Sequence, residues 1–322
     1  MYDVITCGSA TVDAFVQTGD KLFRGSDGMV SVPFGSKICV DDIMFDVGGG
    51  GTNTAVCFAR MGFKVAFLGK IGRGTNSERV LKLLKKEGID TSLIKRGTGR
   101  TGFSVILDAF KHERTILTFK GSNDTLKFSE VKLNRLKTRW LYCSSMMNES
   151  LKTIEKVFVW AKKKRIGLMF NPSSYLTEKG PSFLKTILAN CSVLVLNKQE
   201  AMMLAQRNRI EDLLVSLRKL GPEIVLITDG ENGVHALYQR MAYSIRPHKI
   251  DVVETTGAGD AFGAGFLSGW IKTGDIEFSL KLGLITAESV IQKVGGKRNL
   301  PTYKEAVSTM KKLETPISMQ RL

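Results

Sequence analysis

Short apolar runs alternate with longer amphipathic patterns along most of the chain. The apolar runs are typical of buried strands, and they begin at Asp3, Lys64, Trp140, Ile166, Ser192 and Glu223. Helical periodicity follows most of them, and it predicts helices over about 53–62, 77–88, 150–165, 199–206 and 211–220. This alternation predicts an α/β fold, with a mainly parallel central sheet covered by helices on both faces.

Two regions depart from the alternation. Residues 14–46 and 98–120 contain short strand-like segments and no helical pattern. The stretch "TGFSVILDAFKHERTILTF" predicts a hairpin with strands at about 102–108 and 114–119. We expect both regions to form a small β-sheet that projects from the main domain as a lid. Since no linker or repeat interrupts the sequence, we predict one domain over residues 1–322 that includes these lid segments.

Composition narrows the class of protein. The chain is 43 % hydrophobic and 24 % charged, and it contains no apolar run of the length that spans a membrane. The N-terminus lacks the pattern of a secretory signal, and the three histidines are isolated. The cysteines are scattered and odd in number: Cys7, Cys39, Cys57, Cys143 and Cys191. These features predict a cytoplasmic protein with reduced thiols and no zinc.

The net charge of +16 is the unusual bulk property, and it favours anionic partners such as nucleotides or phosphorylated metabolites. Lys152, Lys156 and Lys163 fall on the outer face of a predicted helix, which is typical of a solvated surface. Aromatic residues do not interleave with the basic ones as a stacking platform requires. The sequence therefore disfavours a nucleic-acid partner and predicts no membrane partner.

The stretch "VETTGAGDAFGAGFLSGW" (253–270) combines a small-residue loop with the start of a helix. Such a loop can direct successive N–H groups at an anion, and the helix N-terminus adds partial positive charge. Asp260 follows the loop, where it could either complement the helix dipole or take a proton from an attacking hydroxyl. Interior glycines destabilise a helix, so we expect Gly263, Gly265 and Gly269 to allow close packing.

A second glycine cluster lies in "DVGGGGTNTAVCFARMG" (46–62). Its four consecutive glycines allow a ligand to approach the backbone, although a flexible turn with Asn53 as a helix cap is the simpler interpretation. No GxxxxGK[ST] or strict GxGxxG occurs, which excludes the P-loop and dinucleotide fingerprints.

Together these stretches resemble the two signatures of the ribokinase-like (PfkB) carbohydrate kinase family. They occur in the family's order and about 200 residues apart, and "NPSS", "LNKQEA" and "ITDGENGV" lie between them as in the family. The resemblance covers about residues 4–303 and implies a ribokinase-like three-layer α/β/α fold. It further implies that Asp260 is the catalytic base and that Gly257, Ala258 and Gly259 form the anion hole.

The resemblance also implies roles in ligand binding. The acceptor would be held by Asp13, Gly48, Gly49, Gly50 and Asn53. The nucleotide would contact Asn197, Thr228, Gly230, Gly233 and Gly259, with the stretch 284–296 at its base. Asn197 and Glu200 would organise Mg2+ through water, although Glu200 is also an acid at the start of a helix. Glu254 stands where the family commonly has Asp, which leaves dependence on a monovalent cation open.

These observations predict an ATP- and Mg2+-dependent phosphotransferase that phosphorylates a hydroxyl of ribose or another monosaccharide. Alternatives within the family are a nucleoside kinase and an ADP-dependent sugar-phosphate kinase. An alternative of another class is a regulatory protein that binds a sugar or nucleotide without catalysis. Relatives often dimerise through the lid, so a homodimer through the lid is a further expectation.

Overall fold

A computed structural model describes residues 1–19, 23–24, 30–32, 34–110 and 113–322. Small parts of both predicted lid segments, at 20–22, 25–29, 33 and 111–112, lie outside the described residues. Within the described residues, no helix is long and apolar enough to cross a membrane.

The strands are β1 Tyr2–Cys7, β2 Thr11–Gln17, β3 Phe23–Arg24, β4 Val30–Ser31, β5 Asp42–Gly48, β6 Val65–Leu68, β7 Lys70–Arg73, β8 Lys95–Arg100, β9 Gly102–Phe110, β10 Glu113–Phe119, β11 Thr138–Ser144, β12 Gly167–Asn171, β13 Val193–Asn197, β14 Ile224–Thr228, β15 Val234–Tyr238, β16 Met241–Ile245 and β17 Ile317–Arg321. The helices are α1 Gly50–Arg60, α2 Thr75–Lys86, α3 Asn148–Lys163, α4 Ser174–Thr177, α5 Lys185–Asn190, α6 Lys198–Ala205, α7 Ile210–Arg218, α8 Ala258–Thr273, α9 Ile276–Ile291 and α10 Tyr303–Lys312.

Nine strands form the central sheet, in the order β17-β16-β15-β14-β13-β12-β11-β1-β6. From β6 to β14 the neighbours are parallel, and β15, β16 and β17 add an antiparallel edge. The structure thus confirms a mainly parallel central sheet. The antiparallel edge was not predicted, because its short half-buried strands lack a continuous apolar run.

Both faces of the parallel strands are buried. On β13, Val195 belongs to one core cluster, whereas Leu194 and Leu196 belong to the other. Helices α1, α8 and α9 contribute to the first cluster, and α3, α6 and α7 contribute to the second. Burial on two faces explains why these strands are apolar at every position, since a sheet exposed on one face shows alternation instead.

The lid is a separate four-stranded sheet in the order β10-β9-β2-β5, as the fold prediction required. Its first strand begins at Thr11, which is earlier than the predicted segment 14–46. The register places Asp13 opposite Asp46 on β5 and opposite Ser104 on β9. Since residues in register share a face of a sheet, these three polar side chains form one row.

The glycines of α8 allow close packing, as predicted. A β-carbon at Gly265 would lie 2.6 Å from Thr286 Oγ1, and one at Gly269 would lie 2.8 Å from the Cα atom of Ser279. One at Gly263 would overlap the hydroxyl of Tyr142 on β11. Side chains at these positions would push α8 away from α9 and the sheet, so the glycines fix the helix N-terminus in place.

Candidate active site

The two glycine motifs meet at the carboxyl ends of the parallel strands, where ligands collect in open α/β sheets. Asn53, in the first turns of α1, donates a hydrogen bond from Nδ2 to Asp260 Oδ2 at 2.9 Å. The two residues are 207 positions apart in the chain. This bond joins the predicted acceptor loop to the N-terminus of α8.

Asp260 lies in the first turn of α8 and keeps part of its surface open to the cleft. Loss of water around the carboxyl raises its pKa, while the bond from Asn53 and the charge of Lys297 act in the opposite direction. A carboxyl whose pKa is raised is a stronger base than an exposed aspartate. It is therefore suited to accept a proton from a hydroxyl.

The loop before α8 ends in a glycine whose backbone conformation and close contacts leave no room for a side chain. Gly257 caps the helix with φ 80°, and a β-carbon there would lie 2.6 Å from the Cα atom of Gly296. The N–H of Ala258 donates to the Thr255 carbonyl oxygen at 3.2 Å, whereas first-turn N–H groups generally have no partner within the helix. An anion at this end of α8 would therefore bind the N–H groups of Gly257 and Gly259 first.

The loop from β5 into α1 approaches Asp13 and Asp260 closely. A side chain at Gly48 would overlap the Asp13 carboxylate, and Gly49 caps α1 with φ 95°. A β-carbon at Gly50 would lie 2.8 Å from Ser144 Oγ and 3.2 Å from Asp260 Oδ1. The glycines therefore leave room for the side chains of Asp13, Ser144 and Asp260, and Gly49 rather than Asn53 is the cap of α1.

Asp13 is 8 % exposed, and its Oδ1 accepts a hydrogen bond from Thr11 Oγ1 at 2.8 Å. Burial raises the pKa of Asp13, and the bond from Thr11 and the charge of Lys297 oppose that effect. With Oδ2 beside Gly48, the carboxylate can accept hydrogen bonds from hydroxyl groups of a ligand.

Three buried polar atoms near the cleft have no hydrogen-bond partner among the described residues: Asn53 Oδ1, Ser144 Oγ and Thr256 Oγ1. An unpaired buried polar atom costs about 1–3 kcal/mol, so such groups normally find a partner. Ser144 Oγ faces Gly50, the Asn53 amide and the Thr256 backbone both face Gly296, and Thr256 precedes the helix cap. These three atoms are therefore candidates to bind a polar ligand.

A cavity of about 490 Å³ opens on the other side of α8. Five predicted residues line it: Thr228, Gly230, Gly233, Ala258 and Gly259. Apolar residues supply a further part of the wall: Leu284, Ala287 and Ile291 from α9, and Val252 from the loop before α8. The cavity thus combines an apolar end with the N-terminus of a helix, as a nucleotide site requires.

Asn197 and Glu200 do not line that cavity. They form a reciprocal capping box at the start of α6, in which Asn197 Oδ1 accepts from the Glu200 N–H at 2.8 Å and Glu200 Oε2 accepts from the Asn197 N–H at 3.0 Å. Their geometry supports the structural interpretation of Glu200. The carboxyl is 9 % exposed, and burial raises its pKa to about 7.

Comparison with known proteins identifies the family. The profile of the pfkB family of carbohydrate kinases matches residues 22–303, which is most of the chain. This chain belongs to that family. A sugar kinase of Archaeoglobus fulgidus, itself uncharacterized, is 31 % identical over 253 residues, covering 76 % of this chain and 97 % of its own. A ribokinase of Haemophilus influenzae is 26 % identical over 296 residues, covering 88 % and 94 %.

Solved structures confirm the ribokinase-like fold. A nucleoside kinase of Methanocaldococcus jannaschii superposes with a TM-score of 0.80 at 22 % identity, covering 97 % of this carbohydrate kinase and 99 % of that chain. An Arabidopsis thaliana ribokinase, solved with ribose and ATP, gives 0.79 at 19 % identity, covering 96 % and 99 %.

The structure adds His248, which sequence reasoning missed, to the cavity, where it contacts Glu288 of the predicted stretch 284–296. His248 Nδ1 lies 2.8 Å from Glu288 Oε2 on α9, and the His248 N–H donates to Glu288 Oε1 at 2.7 Å. His248 Nε2 lies 3.1 Å from Thr315 Oγ1. Both His248 and Glu288 line the cavity of the kinase. His248 was missed because it is an isolated histidine with no motif around it.

Asn197 and Glu200, at the start of α6, are suited to hold Mg2+ through water molecules. They are too few to coordinate the ion with protein ligands alone. No group of three or more metal-binding side chains occurs among the described residues. Mg2+ commonly keeps several waters and uses one or two carboxylates beside substrate phosphates. Glu200 would be that carboxylate, and a nearby cation would favour its charged form.

The raised pKa of Glu200 predicts a pH-dependent stability. The folded state binds more protons than the unfolded state between the ordinary pKa of 4.5 and the folded value of about 7. The free energy of unfolding therefore falls as pH rises through that window, by on the order of 3 kcal/mol from this group. We expect the Glu200→Gln variant, which keeps the capping acceptor, to gain stability relative to wild type as pH rises from 4.5 to 8.

Urea unfolding across this pH range measures the difference. The exposed Glu211→Gln variant, at the start of α7, is the matched control and should keep the wild-type pH profile. Identical profiles for all three proteins would contradict the shifted pKa of Glu200.

Proposed function

We propose that this carbohydrate kinase transfers the γ-phosphoryl group of ATP to a hydroxyl of a monosaccharide such as ribose. The observation that carries the proposal is the bond from Asn53 to Asp260. It joins a polyol-binding row of side chains to a base at the N-terminus of α8. The nucleotide-sized cavity opens on the other side of the same helix.

The acceptor lies between the lid and α1 in this proposal. Asp13 and the free Oδ1 of Asn53 accept hydrogen bonds from its hydroxyl groups, and the backbone at Gly48, Gly49 and Gly50 borders it closely. The polar row of the lid covers the acceptor from above. Exclusion of water from this space prevents wasteful hydrolysis of the nucleotide.

Asp260 accepts the proton of the attacking hydroxyl as the hydroxyl oxygen forms its bond to phosphorus. The bond between the γ-phosphorus and the β-bridging oxygen breaks, and ADP leaves. N–H groups of Gly257, Ala258 and Gly259 stabilise negative charge on the phosphoryl oxygens, together with the dipole of α8. Since Ala258 already has a partner, Gly257 and Gly259 contribute most.

The nucleotide occupies the cavity beside Thr228, Gly230 and Gly233, with its base toward α9. Asn197 and Glu200 would hold Mg2+ through water molecules. The bound ion would neutralise part of the phosphate charge. The capping box fixes both side chains at the carboxyl end of β13.

An acceptor screen tests the function. Monosaccharides, nucleosides and sugar phosphates are offered with ATP or ADP, and a coupled assay reports turnover. The proposal expects ATP-dependent phosphorylation of a monosaccharide. Turnover of nucleosides alone would assign a nucleoside kinase, and nucleotide binding without turnover across the panel would assign a regulatory protein.

We also propose that the kinase forms a homodimer through the lid. The lid face opposite Asp13 is apolar, and Ile43, Phe45, Leu117 and Phe119 on it are 48 %, 50 %, 58 % and 54 % exposed. Exposed contiguous apolar surfaces of this kind mark interaction sites. Sedimentation velocity should show a dimer that Leu117→Lys converts to monomer, whereas Val159→Lys, on α3, should not. A wild-type monomer at all concentrations would contradict the proposal.

A further inference from the structure

Lys297 is a buried cation at the acceptor end of the cleft that no motif assigned. It lies in the loop after α9 and is 4 % exposed. Its Nζ atom lies 3.7 Å from Asp46 Oδ1, which is within ion-pair range and beyond a hydrogen bond. This ion pair is too long for a strong hydrogen bond, so the ammonium group, which has three N–H donors, can donate to a ligand beside Asp46.

The loop that carries Lys297 is fixed on three sides. Arg60, at the end of α1, donates from Nη1 to the Lys297 carbonyl oxygen at 3.1 Å. The same guanidinium holds Glu87 in a two-point ion pair at 2.8 and 3.1 Å. The Gly295 N–H donates to Glu254 Oε2 at 2.9 Å. The position of the Lys297 backbone is therefore determined by α1, by Glu87, which follows α2, and by the loop before α8.

Three carboxylates face the Lys297 side chain. Burial lowers the pKa of Lys297, whereas the charges of Asp46, Asp13 and Asp260 raise it. Arg298 also contacts Asp46, at 3.7 Å, but its side chain is 47 % exposed and lies at the surface. Two cations thus meet three carboxylates in the described cleft. The carboxylates exceed the cations, so an acceptor that carries a negative charge would be repelled. The local charge therefore favours a neutral polyol as the acceptor.

We propose that Lys297 binds the acceptor, with its ammonium group donating a hydrogen bond to an oxygen of the neutral polyhydroxyl compound that Asp13 holds. The inference rests on the proposed function and adds a donor to a site whose other side chains mostly accept. A polyol hydroxyl both donates and accepts, so a carboxylate and an ammonium group on one cleft can bind neighbouring hydroxyls. If Lys297 served only to pair with Asp46, its side chain would not need to face Asp13 and Asp260 as well.

Steady-state kinetics with the acceptor found by screening test the proposal. The Lys297→Met variant should raise KM for the acceptor by about 10- to 100-fold, the usual effect of losing a hydrogen bond to a charged group, and should change KM for ATP less than about twofold. Lys297→Gln, which keeps a donor, should lie between. Arg298→Met removes the other cation beside Asp46 and should keep the wild-type KM for the acceptor.

Deoxy analogues of the acceptor separate binding from structural damage. With the wild-type enzyme, KM should be higher for the analogue that lacks the contacted oxygen than for the parent acceptor. This rise should be about as large as the rise that Lys297→Met causes with the parent acceptor. The two rises in KM should not add in the variant, because both changes remove the same bond. Full additivity for every analogue, or an equal rise in KM for Arg298→Met, would overturn the assignment.

The pH profile is a second readout. Asp260 faces Lys297, Asn53, Glu200, Cys57 and Tyr142, and Lys297 is the single cation that lowers its pKa among the described residues. Removing that charge should raise the pKa of Asp260. Since the base acts when deprotonated, the acid limb of kcat/KM should move to higher pH in Lys297→Met and stay in place in Arg298→Met. An unmoved limb with unchanged KM would refute the role of Lys297, while wild-type turnover would leave the kinase assignment intact.

Discussion

The Asp260→Asn variant is expected to turn over about 10²- to 10⁴-fold more slowly than the wild type, the usual contribution of one acid–base group. The amide has nearly the same shape and can still accept the bond from Asn53, so the fold and the cleft should persist. It cannot take the hydroxyl proton at neutral pH. Nucleotide binding, measured by calorimetry, should change little, because the cavity lies on the other side of α8.

Asp212→Asn is the matched control, because Asp212 is also an acid in the first turn of a helix but is exposed on α7. It should lose at most about 0.3–1 kcal/mol of stability through the helix dipole and keep full turnover. Equal turnover for the two variants would mean that Asp260 serves only the helix dipole.

The second large effect is expected at the helix cap. Gly257 has φ 80° and faces Gly296, so the Gly257→Ala variant adds backbone strain and a contact of 2.6 Å. We expect it to lose about 1–3 kcal/mol of stability. Displacement of the N–H groups should also lower kcat by about 10²- to 10³-fold, as removal of one oxyanion donor does. Thermal unfolding and steady-state kinetics measure the two effects.

Gly274→Ala separates strain from function. Gly274 caps the other end of α8 with φ 67°, and a β-carbon there would meet no atom within 4 Å. This variant should lose about 1 kcal/mol from the left-handed backbone alone and keep its turnover. A Gly257→Ala enzyme with wild-type kcat would show that the loop before α8 does not bind the phosphoryl group.

The sequence predicted the fold best where burial on two faces leaves a continuous apolar run. The six strands from β1 to β14 in the parallel part were placed within about two residues, which is usual for strong patterns. The short pair β7 and β8 and the edge strands β15 to β17 were missed. β7 has only four residues, most residues of β8 and β17 are exposed, and none of these segments is a continuous apolar run. Tertiary pairing, rather than local pattern, makes these segments strands.

The glycine clusters of the candidate site could be recognised in the sequence because glycine is used where a side chain would not fit. Gly48, Gly50 and Gly257 stand where a β-carbon would meet another atom, and this requirement is visible in sequence as a cluster. Lys297 was not predicted as a site residue, since it is a single residue in a loop whose partners come from distant parts of the chain. Glu200 could be placed at a helix start, but its capping geometry needed coordinates.

The most direct test of the central claim compares the ADP formed with the phosphorylated acceptor formed, by mass spectrometry, in wild type and Asp260→Asn. The account predicts that the wild type forms the two products in equal amounts and only when the acceptor is present. It also predicts that the variant loses both together by about 10²- to 10⁴-fold. ADP formation without phosphorylated acceptor, or full product formation by Asp260→Asn, would contradict phosphoryl transfer to a hydroxyl activated by Asp260.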